Sequence, residues 1–105
     1  MKSKVRILVV DDEKEILRAI RRMTFEIDLE MDYLASAFEA IKAFNDTPYD
    51  IILCDIKMPD MDGIKLLTYI KENFPTTSRI VLSGHVDGNF IFNIIPFIKV
   101  SFYYY

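Results

Sequence analysis

A single cysteine, Cys54, a single histidine, His85, and no tryptophan stand in this chain of 105 residues. One cysteine cannot close an internal disulfide, so the fold rests on its core and a reducing compartment is implied. Three glycines and four prolines, with no Ser-, Gly- or Gln-rich tract, exclude a collagenous, disordered or linker-dominated chain. Neither sign of charge prevails: 13 Lys and Arg face 16 Asp and Glu, a net charge of −3 without the basic footprint of a general nucleic-acid binder. Long hydrophobic runs are missing too. The basic start, Met1-Lys2-Ser3-Lys4, leads into Val5 to Val10, but Asp11 and Asp12 cut that run far short of a signal-peptide core. The stretch from Phe90 to Tyr105 is broken by Asn93, Pro96, Lys99 and Ser101, and falls short of the roughly 18 apolar residues of a membrane span. The expectation is one soluble, cytoplasmic domain with a single core, binding neither membrane nor nucleic acid directly.

What is present is a regular alternation. Val5-Arg6-Ile7-Leu8-Val9-Val10 is short, β-branched and almost continuously apolar, the pattern of a strand covered on both faces of a parallel sheet. From Glu13 to about Phe25, Ile16, Leu17, Ile20 and Met23 recur at helical spacing among charged residues, which predicts an amphipathic helix. Tyr33 to Ala37 reads as a weaker strand. Phe38, Ile41 and Phe44 then make a short helical stripe that ends before Pro48. Tyr49 to Cys54 predicts a second buried strand, Ile64, Leu67, Ile70 and Phe74 a helix stopped at Pro75, and Arg79 to Leu82 a further strand. This order predicts an α/β, doubly wound parallel sheet with helices on both faces. The last 18 residues, Gly88 to Tyr105, differ in kind, holding seven of the 14 aromatics and one charge, Lys99. Asn89 to Ile98 reads as a short helix strained by Pro96, and Val100 to Tyr105 as a last strand.

The strong acids fall at strand ends: Asp11 and Asp12 after the first strand, Asp55 after the third. In open parallel sheets ligands sit outside the carboxyl ends of strands, where strand order reverses. If the two strands are neighbours, three carboxylates meet, and such like charges stay ionised together only around a cation. Oxygen ligands with room for water and phosphate suit Mg²⁺, and a carboxylate can itself become the nucleophile of an aspartyl phosphate. Taken singly, an Asp-Asp pair after a strand is more commonly a helix cap, and Ser83 more commonly a turn residue. Cys54 reads as a small buried hydrophobe, His85 as a loop residue, and Asp60 and Asp62 as loop and helix-capping residues.

Three runs carry a family resemblance. Val9-Val10-Asp11-Asp12-Glu13, Asp55-Ile56-Lys57-Met58-Pro59-Asp60-Met61-Asp62-Gly63 and Val81-Leu82-Ser83-Gly84-His85 resemble the receiver domain of two-component response regulators. The likeness covers about residues 4 to 88 of a single receiver domain, 1–105, with 89–105 an atypical tail. The resemblance implies a flavodoxin-like sheet of strand order 2-1-3-4-5. It implies that Asp55 accepts a phosphoryl group from a sensor histidine kinase or phosphotransfer protein, with at most slow autodephosphorylation, so that the domain signals more than it catalyses. Asp12 would bind Mg²⁺ directly and Asp11 through water, with Asp55 and the backbone carbonyl of Lys57 completing the protein ligands. Ser83 would hold a phosphoryl oxygen and act as a switch, and Gly63 would permit the tight turn into the next helix.

The tail departs from that pattern. The family's lysine, followed by proline, falls near position 105, where Tyr105 stands; Lys99 comes too early and precedes Val100. On that register Phe102 takes the place of the switch aromatic, and the last helix is missing. A true variant and an altered end, such as a change of reading frame, both fit this composition. A missing helix bares apolar sheet surface, which predicts a homodimer or a tail-exchanged oligomer. A phosphorylation-independent, receiver-like interaction module is the alternative function.

Overall fold

The apolar run at the start forms the central strand. In the computed structural model, which describes residues 4–83 and 93–95, the elements in chain order are β1 (Arg6–Val10), α1 (Lys14–Met23), β2 (Glu30–Leu34), α2 (Ala37–Asp46), β3 (Ile51–Asp55), α3 (Gly63–Asn73), β4 (Ser78–Ser83) and β5 (Asn93–Ile95). Ile7, Leu8, Val9 and Val10 of β1 are all buried, as a strand with both faces covered requires. The sheet runs in the order β2-β1-β3-β4-β5, of which β2-β1-β3-β4 is the expected order. β1 pairs in parallel with β2 and with β3, and β3 in parallel with β4.

Alternate residues of the strands divide the core. Leu8, Val10, Ile52, Cys54 and Val81 point to one face, where Ala37, Ala40 and Phe44 of α2 and Leu66, Leu67 and Ile70 of α3 cover them. Ile7, Val9 and Leu82 point to the other, against Ile16 and Ile20 of α1. The first face is the thicker: Phe44 is wholly buried, with its ring centroid 5.1 Å from those of both Tyr49 and Phe74. Burying such a ring contributes about 2–3 kcal/mol.

Three expectations shift. β2 begins at Glu30 and ends at Leu34, three residues earlier than Tyr33 to Ala37. It is an edge strand in which half-buried Met31 and Tyr33 alternate with exposed Glu30 and Asp32, so it lacks the continuous apolar run of the central strands. Ser36 is instead the N-cap of α2: its hydroxyl accepts from the Glu39 N–H at 3.3 Å, which draws Ala37 into the helix. α1 stops at Met23, leaving Phe25 79% exposed in the connection to β2. The helix expected over Asn89–Ile98 gives way to β5 at Asn93–Ile95, which runs antiparallel to β4 with Ser83 opposite Asn93. The chain from Ser83 to Asn93 is too short for the helical crossover that a parallel neighbour needs, whereas an antiparallel one needs only a turn. The strand expected over Val100 to Tyr105 lies outside the described residues, among which there are three helices.

Gly63 fixes how α3 meets the end of β3. Its N–H donates to the Ile56 carbonyl at 2.7 Å, and a Cβ there would lie 2.7 Å from Ile56 Cα and closer still to the Asp55 carbonyl oxygen. Only glycine allows this approach. Gly63→Ala should therefore lower the unfolding free energy by about 1–3 kcal/mol in urea titration, the range of a forced backbone shift in a packed site; a loss near zero would show that α3 can move away freely.

Candidate functional site

Parallel pairing of β1 with β3 places their carboxyl ends side by side. The register matches Val10 with Cys54, so one residue further on Asp11 comes alongside Asp55. Asp12 follows at the start of the turn into α1. Carboxylate oxygens from Asp11, Asp12 and Asp55 all lie within 4.8 Å of one another, the three-acid cluster that the strand-end pattern predicts. The neighbouring β3–α3 loop forms an open groove of about 530 Å³ lined by Ile56, Lys57, Met58, Pro59 and Asp62.

The cluster is graded in burial. Asp11 is 1% exposed, Asp55 is half-buried at the strand end, and Asp12 is the most open of the three. Asp11 is held in place by two backbone bonds: its N–H donates to the Leu34 carbonyl at 3.1 Å, and its carboxylate accepts from the Glu13 N–H at 2.9 Å. Burial pushes the Asp11 carboxyl up to about 7, with the Asp55 and Asp12 charges adding to the rise and the Glu13 bond opposing it. Burial also raises Asp55, against the backbone N–H groups of Ile56 and Lys57 that favour its charged form. Two raised acids side by side, with Asp12 close by, make an acidic pocket whose charge a cation would offset. The all-oxygen donor set suits a hard divalent ion, so the residues fit a metal site.

The other expected residues sort as follows. The Lys57 side chain is exposed. Ser83 ends β4, one residue past Leu82, which pairs with Asp55, so the register brings its backbone to the same end of the sheet. Cys54 is a free, wholly buried thiol whose pKa burial drives well above the ordinary value. Asp62 caps α3 by accepting from the Ile64 N–H at 2.8 Å, as its position predicts. Asp60 does more than occupy a loop: its carboxylate binds the start of α2, a tie across 24 residues that nothing local in the sequence signals. His85 and Phe102 lie outside the described residues. Among the described residues no helix is long and apolar enough to cross a membrane.

Comparison with known proteins agrees with this geometry. The family model of the response regulator receiver domain matches residues 7–97. The chain is 37% identical over 85 residues to the DNA-binding transcriptional regulator NtrC of Proteus hauseri, covering 81% of this chain and 18% of that protein. It is 38% identical over 82 residues to the hydrogenase transcriptional regulatory protein HoxA of Cupriavidus necator, covering 78% and 17% respectively. The chain thus spans less than a fifth of the length of these two relatives. Among solved structures, a CheY-like receiver domain protein from Methanospirillum hungatei superposes with a TM-score of 0.75 at 30% identity, over 82% of this chain and 69% of that one. The signal receiver domain of an HD domain-containing protein from Pseudomonas fluorescens superposes with a TM-score of 0.77 at 26% identity, over 83% and 64%.

The chain belongs to the response regulator receiver domain family. It is a signalling module of the two-component, phosphorelay class, with the acid cluster that the phosphoacceptor chemistry of this class employs.

The raised Asp11 has a consequence for stability. Between the ordinary carboxyl value of 3.8 and about 7, the folded protein holds a proton on Asp11 that the unfolded chain has released. Metal-free protein should therefore lose stability as pH rises through that window. Mg²⁺ should restore it above pH 7. Asp11→Asn, which keeps an oxygen for the Glu13 N–H, should stabilise metal-free protein by about 1–3 kcal/mol at pH 8 and abolish the response to Mg²⁺. Thermal melts with chelator and with Mg²⁺ across pH 4–9 check both signs; a metal-free protein that gains stability from pH 4 to 7 through Asp11 would contradict them.

Proposed function

We propose that Asp55 accepts a phosphoryl group from a phosphohistidine of a sensor histidine kinase or phosphotransfer protein, with Mg²⁺ as the cation of the acid cluster. The observation that carries this reading is the convergence of three carboxylates within 4.8 Å around a buried Asp11. Asp11, Asp12, Asp55 and the backbone carbonyl of Lys57 would hold the ion. When bound, Mg²⁺ offsets the charge of the carboxylates and of the incoming phosphoryl oxygens.

In the transfer an Asp55 carboxylate oxygen attacks phosphorus. The phosphorus–nitrogen bond of the donor breaks, its electron pair stays on the imidazole nitrogen, and an acyl phosphate forms. Ser83, at the carboxyl end of β4, donates its hydroxyl to a phosphoryl oxygen and draws its loop inward, biasing a two-state equilibrium. The family resemblance would give Phe102, which lies outside the described residues, the role of switch aromatic. The domain supplies the acceptor and the ion site, and the donor supplies the activated phosphorus.

One sequence feature favours a second reading, a phosphorylation-independent interaction module: Tyr105 stands where the family's lysine falls. That lysine makes a charge-assisted contact with the phosphoryl group, and its loss weakens the coupling of acceptance to movement. Intact mass after incubation with acetyl phosphate separates the two. The expected result is gain of one phosphoryl group that requires Mg²⁺ and is absent from Asp55→Asn; folded protein that gains none makes the binding module the better account.

Self-association belongs to the same reading. Among the described residues α1 alone covers the sheet face opposite α2 and α3, and Ile51 and Leu53 on that face are partly exposed. A homodimer or tail-exchanged oligomer would cover it. Sedimentation velocity over a hundredfold concentration range should show a species larger than one chain, and a concentration-independent monomer would exclude it.

A further inference from the structure

The loop that follows Asp55 is pinned at both ends and tied to a second helix at its middle. Ile56 and Gly63 close it through the 2.7 Å backbone bond, and Asp62 caps α3 at its far end. Ile56, Met58 and Met61 pack partly buried against the α2–α3 side of the core, so the loop is seated and does not hang in solvent. From its middle, one oxygen of Asp60, Oδ2, accepts from the Ser36 hydroxyl at 2.8 Å and from the Phe38 N–H at 3.3 Å. Ser36 is itself the N-cap of α2, and its oxygen accepts from the Glu39 N–H at 3.3 Å. The first turn of α2 therefore has two N–H groups satisfied by one linked pair of side chains, Ser36 and Asp60, contributed by two different elements. Phe38, in that same turn, is 56% exposed.

The geometry points to Asp60 as a positioning residue that couples the state of Asp55 to the start of α2, making the turn around Phe38 a surface that changes when the acceptor is modified. The coupling rests on the phosphoacceptor reading above. Its path is contiguous: Asp55 is joined by one peptide bond to Ile56, the loop is anchored to α3, and the Asp60 carboxylate ties it to the start of α2. A shift of the loop as Asp55 gains a phosphoryl group must either carry the cap of α2 with it or break the bonds to Ser36 and Phe38. Either outcome alters the backbone N–H groups of the first turn, because the cap satisfies donors the helix itself cannot. Both bonds converge on a single oxygen, so an amide in place of the carboxylate preserves the tie and a methyl group removes it.

The test is nuclear magnetic resonance of the whole ¹⁵N-labelled chain before and after addition of Mg²⁺ and the phosphomimetic BeF₃⁻. In the parent protein, amide signals of residues 56–63 and of residues 36–39 should both move. In Asp60→Ala the 56–63 signals should still move while the response at 36–39 falls at least threefold; Asp60→Asn should restore it. An unchanged response at 36–39 in Asp60→Ala, or movement confined to 56–63 in the parent, overturns the coupling and leaves the phosphoacceptor reading intact. No movement at either segment contradicts that reading and the coupling with it.

Discussion

Three carboxylates that repel one another are brought together at the centre of the sheet by the parallel pairing of β1 and β3. β1 is buried on both faces of the sheet and β3 fully on one, and each runs directly into its acid, Asp11 just past β1 and Asp55 as the last residue of β3. The hydrophobic core thus places charge where electrostatics alone would disperse it. Asp11 is the most buried of the three, hydrogen-bonded and beside Asp55, and burial with the neighbouring acidic charges raises its pKa.

The surroundings keep that arrangement in place and open to solvent on one side. Leu34 and Glu13 hold the backbone and side chain of Asp11, while Gly63 lets α3 start close against the Asp55 carbonyl. The β3–α3 loop between them forms the groove wall through Lys57, Met58 and Pro59. On the proposed reading, an incoming phosphoryl group would meet the acid cluster at the strand ends beside this loop, from which the Asp60 bonds reach the start of α2. Placement of a ligand at the carboxyl ends of a doubly wound sheet is a general property of such folds, for which a CheY-type receiver is itself a standard illustration.

Much of this was legible in the amino-acid sequence, and the reasons differ by element. β1 and β3 show because central strands of a parallel sheet leave continuous apolar runs, and the acid cluster shows because abrupt acids end those runs. β2 was displaced by three residues because an edge strand alternates weakly and the signal that bounds it, Ser36 followed three positions later by Glu39, belongs to the helix after it. The antiparallel β5 was not legible: Asn93-Ile94-Ile95 lies within a largely aromatic and aliphatic tail whose composition favours neither helix nor strand. Asp60 was readable as a loop residue but not as a cap of α2, since a bond between positions 24 apart has no local pattern.

The central claim, that the acid pocket is built for a cation which replaces a proton on Asp11, is tested most directly by calorimetric titration of Mg²⁺ in buffers of different ionisation enthalpy. Near pH 6.5 the account predicts release of a large fraction of one proton for each ion bound, falling towards zero by about pH 9, and none from Asp11→Asn. Binding with no proton release anywhere in that range, or release that persists undiminished in Asp11→Asn, would contradict it.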